Sequence, residues 1–126
     1  MATRILIVDD HGLVRKALRC LLETDPDMRV VGGAPDAWKA LKLLRQLSPD
    51  VVITNISLSD LSGIELTRRI LAARPDVKVL VLSMYDDEDL RLESLEAGAS
   101  GYLTKGSRPD DLIAAIRRPA TAPVHA

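Results

Sequence analysis

Two adjacent carboxylates, Asp9 and Asp10, close an apolar run near the start of the chain, and three more polar positions follow later apolar runs: Asn55, Ser83 and Lys105. A carboxylate pair of this kind can hold a hard divalent ion such as Mg²⁺, which takes oxygen ligands and keeps several waters. A hydroxyl and an ammonium group are the types that hydrogen-bond and neutralise the oxygens of a phosphoryl group held on such an ion. Taken singly, each has an ordinary explanation. An Asp-Asp pair also caps helices or sits in solvated turns, and an isolated Ser or Lys is commonly a polar loop residue. Their order along the chain is what points to chemistry, provided the fold brings them together.

The elements that must do so alternate: short β-rich runs and longer stretches of helical period, the pattern of βαβ units in a parallel sheet. Five strands are predicted, at Arg4–Val8, Met28–Val31, Val51–Thr54, Val77–Leu82 and Gly101–Leu103. The first, third and fourth are nearly continuous Ile, Leu and Val, as strands covered on both faces require, and are expected at the centre. Leu13/Ala17/Leu21, Ala37/Leu41/Leu44, Ile64/Leu71 and Leu112/Ala115/Ile116 recur at helical spacing and give the helices apolar faces. Pro26, Pro49 and Pro75 fall after helices, and Pro109 opens the last one, where its missing N–H costs nothing. The fold class implied is α/β, a doubly wound five-stranded parallel sheet, (βα)5. Ligands of such sheets bind at the carboxyl ends of strands. Asp9-Asp10, Asn55, Ser83 and Lys105 all fall there and are expected to face one crevice.

Residues 1–118 read as one domain, and Pro119–Ala126, Pro/Ala-rich without periodicity, as a flexible tail or the start of a linker. A chain of 126 residues, 47% of them apolar, can bury a core without staples. Phe is absent and Trp38, Tyr85 and Tyr102 are the only aromatics, so the core is expected to be aliphatic. A formal charge of −1 without a long run of one sign offers no electrostatic footprint for nucleic acid or an anionic membrane. Arg15, Lys16 and Arg19 are expected on a solvated helix face. Cys20 is the only cysteine, which excludes an intramolecular disulfide, and its apolar neighbours favour packing over reactivity. The chain shows no signal-peptide pattern and no apolar stretch long enough to span a bilayer, so the expected location is cytoplasmic.

Asp9-Asp10-His11, the run Pro49-Asp50-Val51-Val52-Ile53-Thr54-Asn55, Gly63, Ser83 and Gly101-Tyr102-Leu103-Thr104-Lys105 together resemble the receiver domain of bacterial two-component response regulators, over residues 4–118. His11, the Glu96-Ala97-Gly98-Ala99 turn and the Gly-Tyr-Leu-x-Lys ending are similar to the NarL/FixJ-like subclass. The resemblance implies a flavodoxin-like sheet of strand order 2-1-3-4-5 and a signalling role that is not enzymatic. It also implies a sensor histidine kinase as phosphoryl donor and transcriptional control through a DNA-binding output domain outside these residues, with a homodimer as a further option. By position, Asp10 would coordinate Mg²⁺ directly, Asp9 through water, position 55 as a further ligand and Ser57 through its backbone carbonyl. Ser83 would hydrogen-bond the phosphate, Lys105 would pair with it, and Tyr102 would move as Ser83 is drawn inward.

Position 55 breaks the pattern. The family's acceptor is a carboxylate whose oxygen attacks phosphorus and becomes an acyl phosphate. Asn55 has nearly the same shape but no charge and a poor nucleophile. It reads either as an isosteric substitution made to hold the domain unphosphorylated or as natural divergence into a pseudo-receiver, an interaction module independent of phosphorylation. Ser59, where the family usually has Pro, is a second departure and favours divergence. Met84 brings bulk to the mouth of the expected crevice. Enzymes of similar topology fit poorly: an aspartyl phosphatase needs Asp-x-Asp, and a flavodoxin a Ser/Thr/Gly-rich loop, where this chain has Asp9-Asp10-His11-Gly12-Leu13.

Overall fold

The computed structural model describes residues 2–118; the expected tail at 119–126 lies outside the described residues. Five strands alternate with five helices: β1 Thr3–Val8, α1 Gly12–Leu22, β2 Met28–Ala34, α2 Ala37–Leu47, β3 Val51–Asn55, α3 Gly63–Ala73, β4 Lys78–Ser83, α4 Glu88–Glu96, β5 Gly101–Thr104 and α5 Pro109–Arg117. The strands form one sheet in the order β2-β1-β3-β4-β5, all neighbours parallel.

Alternation along the strands divides the core between the two faces of the sheet. Ile5, Ile7, Ile53, Leu80 and Leu82 pack with Leu22 of α1 and Leu112, Ala115 and Ile116 of α5. Leu6, Val8, Val52 and Val79 pack on the opposite face with Ala40 and Leu44 of α2 and Leu66 and Ile70 of α3. On that same face α4 joins α3 over a smaller cluster of Ile56, Ile64, Val81 and Ala99. Side-chain caps start three of the helices: Asp36 accepts from the Lys39 N–H, Ser62 from Glu65 and Asp87 from Leu90.

Several local expectations are corrected. β2 continues past Val31 to Ala34, because a register shift between Ile5 and Leu6 leaves Val31 unpaired and carries Gly32 and Gly33 into the ladder. A Cβ on Gly32 would lie 2.6 Å from Leu47 Cδ1, so α2 packs closely on this strand and a larger residue there would have to turn the Leu47 side chain aside. Helix α1 is turned by about one position from the expected Leu13/Ala17/Leu21 face. Leu13 is 80% exposed, Ala17 and Cys20 are exposed, and Leu18, Leu21 and Leu22 meet the core. Cys20 is therefore not a packing residue. Two tethers hold this rotation: Arg15 donates to the Asp9 carbonyl and Arg19 to the Val30 carbonyl on β2, so neither lies on a merely solvated face.

The fourth strand begins at Lys78, not Val77, and Lys78 is buried. Its Nζ donates to the carbonyls of Ala115 and Ile116, at 3.2 and 2.8 Å, which satisfies acceptors that the last turn of α5 leaves open.

Candidate functional site

β1, buried to its last residue, delivers Asp9 to the carboxyl edge of the sheet with 2% of its side chain exposed. Burial opposes its charge, but the His11 N–H at 2.9 Å and the Lys105 Nζ at 3.1 Å both bind the carboxylate. These bonds prevail and hold the Asp9 carboxyl below the usual carboxylate range. Asp10 is more open and lies 3.3 Å from His11 Nδ1. Asp9, Asp10 and His11 each offer a ligand atom, all within 4.8 Å of one another.

β3 ends at Asn55, which is buried. Its Nδ2 donates to the Ser57 carbonyl at 2.7 Å. The chain then doubles back so that the Gly63 N–H donates to the Ile56 carbonyl at 2.7 Å. A Cβ at Gly63 would meet the Asn55 carbonyl oxygen at 2.2 Å, so the start of α3 rests directly on the backbone that aims Asn55. On the far side, the Lys105 N–H bonds the Ser83 carbonyl at 2.7 Å, extending β5 just far enough to turn its ammonium toward Asp9.

The expected crevice exists and has a volume of about 450 Å³. Asp10, His11, Asn55, Ser57 and Lys105 line it, with Met84 and Tyr85 at its side. Asp9 is buried and not part of its lining, and neither is Ser83. Ser83 is fully buried, and its hydroxyl accepts the Tyr85 N–H at 3.0 Å. Tyr102 stands apart from the carboxylates and donates its hydroxyl to the Tyr85 carbonyl at 2.6 Å. Both residues therefore grip Tyr85, one at its N–H and one at its carbonyl.

The oxygen donors of Asp9, Asp10 and Asn55 suit a hard divalent ion. The Ser57 carbonyl already accepts from the Asn55 amide, so an ion using that carbonyl would share it with a hydrogen bond that a carboxylate at position 55 would not make.

The family model for the response regulator receiver domain matches residues 5–117. The chain belongs to this family. It is the receiver domain of a response regulator in two-component signalling, and its relatives are of the NarL/LuxR kind. Response regulator GacA of Pseudomonas aeruginosa is 37% identical over 115 residues, which is 91% of this chain and 54% of the relative. Transcriptional regulatory protein DegU of Brevibacillus brevis is 40% identical over 114 residues, 90% of this chain and 48% of the relative. The receiver thus spans about half the length of the curated relatives it matches. A LuxR-family response regulator from Aurantimonas sp. SI85-9A1 superposes with a TM-score of 0.88 at 40% identity, covering 92% of this chain and 83% of that one. The response regulator domain of Thermotoga maritima CheB superposes at 0.86 with 27% identity, covering 98% and 99%.

Sequence reasoning missed two residues that organise the receiver's crevice. Arg15 holds the Asp9 carbonyl, and only the rotation of α1 reveals it. Asp60, in the loop after β3, accepts from the N–H groups of Ala37 and Trp38, both at 3.0 Å, as well as from Leu61. It ties the crevice loop to the N-terminus of α2, and the only sequence signal is an acid in a turn. Slight burial opposes its charge, but these three N–H groups prevail and hold the Asp60 carboxyl below its ordinary range. Asp60→Ala is expected to cost roughly 1 kcal/mol at neutral pH. Because the folded-state value is depressed, this contribution is complete above the unfolded value near pH 4 and is lost as pH falls through the folded one. Urea midpoints of both proteins should therefore differ at pH 7 and converge in acid.

Proposed function

We propose that this receiver is built for a two-component phosphorelay but is held in a non-phosphorylatable form by Asn55. The observation that carries this reading is the hydrogen bond from Asn55 Nδ2 to the Ser57 carbonyl. It commits the amide N–H to the crevice loop, a bond that a carboxylate could not make, and the amide oxygen that remains is uncharged and a poor nucleophile. Around it the remaining machinery is present. Asp10 and Asp9 would hold Mg²⁺, with Asn55 and Ser57 as weaker oxygen donors, and the ion would supply charge neutralisation at a phosphoryl group. Lys105 is the cation of the site, restrained by Asp9 at 3.1 Å. Ser83 and Tyr102 form the switch. Drawing the Ser83 hydroxyl toward the crevice releases the Tyr85 N–H, and the Tyr85 carbonyl transmits this to Tyr102.

The partner on the input side is a sensor histidine kinase. On the output side it is a DNA-binding domain acting on transcription, so this domain itself touches no nucleic acid. Among the described residues no helix is long and apolar enough to cross a membrane, and a cytoplasmic location goes with this reading. A natural pseudo-receiver, working as an interaction module independent of phosphorylation, is the second reading. It is favoured by Ser59 and by an Asn55–Ser57 bond that keeps the crevice loop in place without an ion.

Incubation with phosphoramidate and Mg²⁺, followed by intact-mass analysis, tests the proposal. No stoichiometric adduct is expected, and a stoichiometric hydroxylamine-labile one would overturn the reading of Asn55 as a blocked acceptor. Mg²⁺ binding is expected to persist but to be weak, with Tyr fluorescence responding more than that of Trp38. Asp10→Ala should lower the affinity by at least about tenfold, the loss of one charged ligand; unchanged affinity would remove Asp10 from the metal site.

A further inference from the structure

The formal charge of −1 conceals a separation of charge within a single helical layer. Helix α2 carries Lys39, Lys42 and Arg45 and no acid. The adjoining side of α3 adds Arg68, Arg69 and the cap residue Arg74, and Glu65 answers only Arg68, at 3.8 Å. At the other end of the layer, Asp86, Asp87, Glu88, Asp89, Glu93 and Glu96 stand on or just before α4, and Arg91 answers only Glu88.

Shape follows the same division. Between α2 and α3 runs an open groove of about 680 Å³, floored by Leu41, Ala72 and Ala73. Trp38 walls it, 54% exposed, with the Arg69 guanidinium 5.0 Å from its ring centroid. Arg45 and Arg74 stand on the groove's edge. On α4, Asp89, Leu92, Glu93 and Glu96 follow the i, i+3, i+4, i+7 spacing of one helix face. All four are exposed, and Leu92, 46% exposed, is an apolar knob with acids on either side.

We propose that the α2/α3 groove binds the α4 ridge of a second copy of this chain. Leu92 enters the apolar floor beside Trp38 while Glu93 and Glu96 meet the basic rim. Groove and ridge lie on the same face of the sheet. A two-fold axis running along the layer between them therefore sets each groove on the other copy's ridge, a closed isologous pair. An unrelated acidic protein would satisfy the groove alone, whereas a second copy satisfies both surfaces at once. The contact uses no crevice residue, so it does not depend on the chemistry at position 55. The crevice loop nevertheless bears on it, since Asp60 holds the N–H of Trp38.

Sedimentation equilibrium of the full chain tests this. A dimer is expected at about 50 mM salt and roughly 0.2 mM protein, with a dissociation constant at least about tenfold weaker at about 500 mM salt, where exposed charges are screened. Lys42→Glu with Arg45→Glu is expected to be monomeric, as is Glu93→Lys with Glu96→Lys. Mixing the two variants should restore a dimer, because both reciprocal contacts then pair opposite charges. The fluorescence of Trp38, the only tryptophan, should change on dimerisation and on mixing. If either double variant fails to fold, the single reversals Arg45→Glu and Glu93→Lys carry the same mixing test. A protein that stays monomeric at low salt overturns the proposal, even if a poly-glutamate peptide binds the groove. So does a dimer that survives both reversals, or a mixture of folded variants that stays monomeric.

Discussion

Asn55→Asp is expected to take up a phosphoryl group from phosphoramidate when Mg²⁺ is present and, without the ion, to unfold at a lower urea concentration than the protein with Asn55. Both effects have one cause. The substitution supplies the carboxylate oxygen that attacks phosphorus, and it places a third carboxylate beside Asp9 and Asp10. Unit charges about 4 Å apart repel by roughly 4 kcal/mol at an effective dielectric near 20. Lys105, already 3.1 Å from Asp9, and solvent reduce this to about 1 to 2 kcal/mol. Loss of the Asn55–Ser57 hydrogen bond, 2.7 Å long in the native site, adds about 1 kcal/mol. Mg²⁺ should recover more stability in the Asp variant, because a ligand stabilises in proportion to its binding of the native state. Urea melts of both proteins with and without Mg²⁺, together with intact mass, decide it. A variant more stable than the native chain without metal, or midpoints shifted equally by Mg²⁺, would refute the crevice electrostatics. A variant that is phosphorylated but shows neither trend keeps the receiver assignment and removes this account of Asn55.

Gly63→Ala should be the most destabilising single-methyl change near the site, by roughly 3 kcal/mol. The added Cβ would lie 2.2 Å from the Asn55 carbonyl oxygen and 2.9 Å from the Ile56 Cα. Both are backbone atoms, so no side chain can swing aside. The Gly63 N–H is also bonded to the Ile56 carbonyl, so α3 cannot back away without breaking that contact. Gly106→Ala is the control, since a Cβ there meets nothing within 4 Å, and its effect should stay within about 0.5 kcal/mol. Equal urea midpoints for the two variants would mean that the start of α3 does not press on β3 as described.

How much was legible in the residues alone depends on the range of the interaction that decides each feature. The strands β1, β3 and β4 stood out because a strand covered on both faces has to be apolar at nearly every position. The helices α2 and α3 of the opposite layer stood out because Ala37/Leu41/Leu44 and Ile64/Leu71 keep helical spacing. With the alternation read, the topology rule put Asp9, Asp10, Asn55 and Lys105 at one edge; Asp10, Asn55 and Lys105 line the crevice there, and Asp9 is tied to it through Lys105. The family resemblance, carried by short motifs, was equally local.

What the tertiary structure alone decided rests on partners far apart in the chain. Arg15 and Arg19 reach the backbone on either side of α1 and set its rotation, which turns Leu13 and Cys20 to solvent although their neighbours are apolar. Asp60 caps a helix that begins 23 positions earlier, and Lys78 meets carbonyls 37 and 38 positions later. Ser83 sits at a strand end as expected, yet the Tyr85 N–H claims its hydroxyl and keeps it out of the crevice. The residue types at position 55 and its surroundings say that a nucleophile is missing; only packing shows what the amide does instead, which is to bond the Ser57 carbonyl. The segregation of charge is of the same kind, since a sum over the chain cancels and only the shared layer of α2, α3 and α4 sets the opposite signs side by side. Spacing along a chain reports which face a residue prefers, whereas the partner it finds there depends on how separate elements pack.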